Sequence, residues 1–325
     1  MDGAYQLSIS RVLGSVMKHT KRPGFGPLGT LHAQHQLLAQ RPRSGEQISF
    51  APSEVKRIVR AFEETRLGYA VDRVLADPDL AAKFFERCRQ LEINAPDHAI
   101  ALRLFRFRKS PSKGTRIQRA TATRENRDFS PYIFAAEMAA TQMKYLYGAS
   151  VDDILAYPEI GKEFDTLAKK LRPGWKSVDY RLAALHVRKS QYFDEQKNEL
   201  TLFGKIRDKL PDNMAEFFGP LSDLDPKKIS NTEGIIGLLE KADSPRFLYI
   251  GKANRVAQAV RPFTREDAFD PLANAFWSPS LSLIHLVVYD IHEDYLDATP
   301  AVWTKKLIHD NSPVFNIPVR LAEAA

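Results

Sequence analysis

Apolar positions along the chain change period once, near residue 230. Before that point they recur at helical spacing, as in Leu80, Phe84, Cys88 and Leu91 or Ile160, Phe164, Ala168 and Leu171. After it they come in short runs. "GIIGLLE" (234–240), "RFLYIGKA" (246–253) and "LSLIHLVVYDI" (281–291) read as strands, and the polar "KADSP" between the first two has hairpin length. "NRVAQAV" and "PAVWTKKLIHDN" read as helices. The pattern predicts an α+β chain, with an all-α N-terminal region followed by a small domain of order β-β-α-β-α. That domain is expected to hold a three-stranded antiparallel sheet flanked by helices.

The helical region contains an internal duplication. Residues 71–110 align without gaps on residues 151–190, an offset of 80, with eleven of forty positions identical. The identities include Asp72/Asp152, Pro78/Pro158, Phe84/Phe164 and the closing Arg108-Lys109-Ser110 against Arg188-Lys189-Ser190. Proline at 78 and 158 suits the first helical position, where its missing N–H costs nothing, and the acid that follows favours the positive helix end. With "SEVKRIVRAFEETRLGYA" and "PYIFAAEMAATQMKYLYG" as leading helices, each copy is expected to be a three-helix unit. The boundaries follow: a basic, partly ordered extension over 1–50, repeat one over 51–127, repeat two over 128–195, a Pro-rich linker over 196–231 and the mixed module over 232–325.

Charge refines the picture. The net formal charge is +7. Residues 101–130 carry nine Lys or Arg against Glu125 and Asp128, whereas 232–325 carry nine basic and twelve acidic residues. A basic stretch interleaved with Ser and Thr is the footprint of a phosphate-binding surface. DNA is the expected partner, with RNA open. The expected grip is Arg106, Arg108, Lys109, Lys113, Arg116, Arg119, Arg188 and Lys189, joined by Lys252 in the module. The lone Cys88 sits at a helical core position and has no disulfide partner. "MDGAYQLSISRVLGSVMKH" has no continuous apolar segment and no stretch is long enough to span a bilayer. These features place the protein in the cytoplasm, near the nucleoid if the source is bacterial, with no membrane partner. His32 and His35 lack the Cys or carboxylate company of a metal site.

Within the module, Gly234-Ile235-Ile236, then Tyr249-Ile250-Gly251 fifteen residues on, then "TKKLIHDNSPVFN" resemble the GIY-YIG nucleases, over roughly residues 232–320. That family includes an excision-repair incision subunit, homing endonucleases and some restriction enzymes. The resemblance implies one-step phosphodiester hydrolysis with Mg²⁺ or Mn²⁺. It implies two hairpin tyrosines, one helping to activate water, an arginine facing the scissile phosphate, a metal-binding glutamate and a buttressing asparagine.

Carried over by position, Tyr249 matches the second tyrosine and Asn316 the asparagine. Ile236 stands for the first tyrosine, Ala259 for the arginine and Thr304 for the glutamate. Arg255 and Arg261 are the nearest cations to the vacant arginine position, and Glu293, in the cluster His292, Glu293, Asp294 and Asp297, is the nearest carboxylate to offer a metal. The expected site is therefore Tyr249, Asn316 and Arg255. The expected function is a DNA-associated, nuclease-like protein that keeps the fold without cleaving. Two alternatives stay open: a metal-dependent endonuclease with an altered site, and a helical protein-interaction scaffold that binds no nucleic acid.

Overall fold

The computed structural model describes residues 48–109, 116–122, 127–190, 215–240, 246–264, 284–290 and 299–316. The chain is mixed α+β. Eight helices form its first part: α1 (Pro52–Thr65), α2 (Val71–Ala76), α3 (Pro78–Gln90), α4 (Asp97–Lys109), α5 (Ile133–Tyr147), α6 (Val151–Ala156), α7 (Pro158–Leu171) and α8 (Ser177–Ser190). Each expected three-helix unit has a fourth member, the single-turn pair α2 and α6. The cause is local. Asp77 and Tyr157 precede the prolines in extended backbone, as residues before proline prefer, and so separate two helices that apolar spacing alone would merge. The Asp77 carboxylate then caps α3 by accepting from the backbone of Asp79 and Leu80. Ser150 and Asp153 form a capping box on α6.

The two halves pack reciprocally. α4 of the first lies on α6 of the second, α8 of the second lies on α2 of the first, and α2 meets α6. His98 and Tyr157 stack across this junction at 4.6 Å. At the junction Arg108 pairs with Asp72 and Arg188 with Asp152, the same bond at the same offset of 80. Lys189 crosses over to Asp72 at 2.8 Å. Cys88 is fully buried, and burial raises its thiol to about 12, so it is an inert core group.

The segment after α4 is fixed from below. Buried Arg66 donates to the carbonyls of Gln118 and Arg119 at 3.0 and 3.1 Å. The carbonyl of Gly68 accepts from the backbone of Thr121 and Ala122. Gly68 has φ +79°, and a Cβ there would stand 2.6 Å from the Thr121 hydroxyl, so both backbone and space demand glycine.

The module holds β1 (Ala215–Pro220), β2 (Gly234–Glu240), β3 (Arg246–Ala253), the short α9 (Val256–Val260), β4 (Ile284–Asp290) and α10 (Pro300–Asn311). All pairings are antiparallel, in the order β1-β4-β2-β3. The expected sheet of three strands therefore gains a fourth, β1, inside what reads as linker. β1 is a short edge strand with an irregularity at Phe217/Gly219 and a terminal proline, features that hide it from a period-two pattern. Central β2 is buried on both faces, which is why it lacks alternation. Ile236, Leu238 and Leu248 face the helical body in one continuous core, while Ile235, Leu239, Phe247 and Ile250 face α10.

The reciprocal ion pairs generate a pH prediction. Burial pushes the Asp72 carboxyl up, but the Lys189 hydrogen bond and the charges of Lys189, Arg108 and Arg188 outweigh it and hold the group below the ordinary carboxylate range. A lowered folded value means stability that is complete above the unfolded value of about 4 and lost as pH falls through the folded one. Asp72→Asn is expected to cost about 1–2 kcal/mol near neutral pH. In urea unfolding the gap from wild type should close as pH falls below about 4; a gap independent of pH would remove the assignment.

Candidate functional site

Two of the three site residues named from sequence, Tyr249 and Asn316, meet where β3 abuts α5. A β-bulge begins their story. Leu238 pairs with Tyr249 but Leu239 pairs with Phe247, so Leu248 is an extra residue in β3. In an unbroken strand Phe247 and Tyr249 would share a face. The bulge shifts the phase, leaving Phe247 against α10 and turning Tyr249 toward the helical body. Gly251, two residues on and on the same face, lies beneath the tyrosine ring: a Cβ there would approach the Tyr249 hydroxyl to 2.7 Å and its ring to 2.8 Å. The glycine exists to let the ring lie flat along the strand.

The chain after α10 runs back along the open edge of β3. Phe315 N donates to Leu248 O at 2.8 Å, and the Asn316 side chain continues the ladder. Asn316 Oδ1 accepts from Ile250 N at 2.8 Å, and Nδ2 donates to Ile250 O at 2.8 Å. The amide thus stands in for a peptide group and closes a sheet edge.

Glu137 of α5 receives both groups. Asn316 Nδ2 also donates to Glu137 Oε1 at 3.1 Å, and the Tyr249 hydroxyl hydrogen-bonds to the same carboxylate. Glu137, Tyr249 and Asn316 are 4%, 2% and 3% exposed. Burial, then the charge and hydrogen bond of Glu137, raise the Tyr249 phenol well above its ordinary value, so it stays protonated and donates. Neighbouring contacts follow the same seam: Thr141 Oγ1 donates to Phe315 O at 3.2 Å, Tyr145 Oη donates to Val314 O at 3.2 Å, and Phe134 packs on Phe263 at 4.9 Å. Tyr249 and Asn316 are brought together, but around a carboxylate that no motif named.

The other candidates scatter. Ile236 is buried in the core facing the helices. Arg255 is exposed at the start of α9, and Ala259 is half-buried on the same helix. Arg255 does not line the cleft beside Tyr249. Lys252 lies at the end of β3 and pairs with Glu233 at 2.7 Å. In the helical body Arg106, Arg116 and Arg119 are exposed. At the basic ends, Arg108 pairs with Asp72 and Arg188 with Asp152 within their own copies, and Lys189, itself exposed, crosses to Asp72. Lys109 ends α4; its side chain, Lys113 and Glu293 lie outside the described residues.

The implied Mg²⁺ or Mn²⁺ does not fit the described residues. Thr304 is buried and its hydroxyl donates to Pro300 O at 2.7 Å, a bond within its own helix. Glu137 already accepts from two donors. Among the described residues no three His, Cys, Asp or Glu side chains converge.

Above the triad a cleft of about 660 Å³ opens between the two parts. The segment 127–130 and α8 form one wall, the Thr304 side of α10 the other, and the end of β3 the floor. Arg127, His186 and Lys305 line it, none of them named by sequence motifs. One signal for the triad was present: Glu137 is the single charge in the apolar run from Ile133 to Ala140. No family model, curated protein or solved structure matches the chain. No helix among the described residues is long and apolar enough to cross a membrane.

Removing one member of this triad strands the rest. Asn316→Ala is expected to destabilise by about 2–4 kcal/mol, because Ile250 loses two partners and Glu137 one. Tyr249→Phe should cost about 1–2 kcal/mol. Gly251→Ala should destabilise on its own but much less in a Tyr249→Ala background, since the clash is with that ring; denaturant midpoints of the double-mutant cycle check this, and additive losses would refute the ring-over-glycine account.

Proposed function

We propose that the chain is a DNA-associated protein in which a GIY-YIG-like module has been retained as a docked, non-cleaving domain beside the duplicated helical region. One observation carries the reading: Tyr249 and Asn316, the residues that would serve catalysis, are committed to Glu137 in a buried seam. A hydroxyl that activates water must reach it, and this one is shut away as a protonated donor. The antiparallel pairing of the Ile236 and Tyr249 strands, with β2 between β3 and β4, supports the likeness of build. The exposed Arg106, Arg116 and Arg119 support contact with phosphates.

A second reading, a protein-interaction scaffold without nucleic acid, is favoured by the inward pairing of Arg108, Arg188 and Lys189. Salt dependence separates the two. Duplex binding followed across a salt series should show a slope of log affinity that falls by about 3 when Arg106, Arg116 and Arg119 are all changed to Gln. Arg108→Gln should instead lower stability and leave the slope nearly unchanged. Absence of duplex binding would favour the scaffold. Supercoiled plasmid with Mg²⁺ or Mn²⁺ is expected to stay intact; nicking abolished by Tyr249→Phe would overturn the non-cleaving assignment.

A further inference from the structure

We propose that residues 116–122 form a rigid arm that lies along the phosphates of a duplex, and that buried Arg66 is its positioning residue, holding Arg116 and Arg119 where the phosphates meet them. This rests on the nucleic-acid reading above and narrows the grip to one element and the residue that fixes it. Four successive residues, 118–121, are exposed, and so is Arg116. Such a run stands out as a ridge, since a strand lying flat would expose only alternate residues. Neither Arg116 nor Arg119 is in an ion pair among the described residues.

The ridge is fixed by a charged clamp at the end of α1. Arg66 is 4% exposed, and its planar fork donates from Nη1 to Gln118 O and from Nη2 to Arg119 O. Its Nε pairs with Glu63 Oε2 at 2.8 Å, and the other oxygen of Glu63 accepts from Gln118 N at 2.7 Å. With the two bonds to Gly68 O, five hydrogen bonds hold seven residues that belong to no helix or strand. An arm fixed in this way has less freedom to lose on binding than a mobile one.

The shared helical framework does not demand this clamp. At the offset of 80, Glu63 and Arg66 correspond to Met143 and Leu146, so the second copy has no such pair. Backbone strain marks the same place. Leu67 has φ +50° and is 68% exposed, whereas its counterpart Tyr147 is buried and hydrogen-bonded to Glu163. A leucine enters the left-handed region only where its surroundings impose it. Here Arg66 on one side of it donates to the arm's carbonyls and Gly68 on the other accepts from the arm's amides, so two residues flanking the strained turn grip one segment.

Duplex affinity of the full chain, measured across a salt series, tests the arm. Changing Arg116 and Arg119 to Gln should lower the slope of log affinity against log salt by about 2. Arg66→Lys keeps a charge beside Glu63 but lacks the fork that reaches two carbonyls. It should weaken binding about tenfold with the slope unchanged, because the arm keeps its charges and loses its fixed place. In the chain already carrying both Gln changes it should have less than about a twofold effect. A purely structural role would give the same loss in either background. Gly68→Ala, whose Cβ would crowd the Thr121 hydroxyl at 2.6 Å, is expected to act like Arg66→Lys and carries the test if that variant does not fold. A slope unmoved by the Gln changes, full affinity in the folded Arg66 and Gly68 variants, or an equal loss in both backgrounds would overturn the arm while leaving duplex binding in place. Absence of duplex binding by the unaltered chain would sink the nucleic-acid reading and the arm together, and tighter binding of a single strand would overturn the choice of partner.

Discussion

A buried carboxylate needs donors, and Glu137 finds both of its described ones in the other part of the chain. Replacing Tyr249 or Asn316 while the module stays docked would take a donor from a carboxylate that is still buried, which costs stability. The two parts are therefore held as one body by a polar contact as well as by the core that runs between them. The same demand explains the local irregularities around it. The bulge at Leu248 aims Tyr249 at the carboxylate, Gly251 makes room for the ring, and Asn316 reaches it while closing the edge of β3.

The helical body is tied by a different economy of charge. Each closing arginine returns to the aspartate that opens its own copy, and Lys189 crosses to the first copy's Asp72. Arg108 and Arg188 are part-shielded in the fold, whereas Lys189, Arg106, Arg116 and Arg119 are exposed. Basic content alone is a poor guide to where a polyanion would settle, because ion pairing inside the molecule is decided by packing.

Joining the parts in this way makes the cleft. Tyr249 lines it as a structural donor to Glu137, while Arg127, Lys305, His186 and Phe129, to which no motif assigns a role, line it alongside. Chemistry at the surface of such a module can thus change without loss of its fold, since the strands are kept by apolar burial on both faces and the site is set by what docks against them.

The sequence by itself determined the elements: the bounds of β2, β3 and α10 coincide with runs readable in the chain, and the offset of 80 recurs in helices and ion pairs alike, because periodicity and proline position are local properties. It did not disclose β1, whose strand character comes from pairing with β4 rather than from its own composition. Nor did it disclose Glu137, which lies 112 residues before Tyr249 and 179 before Asn316. Only the tertiary structure decided that these three meet, since the contact depends on how two separately legible parts pack, and no local pattern records that.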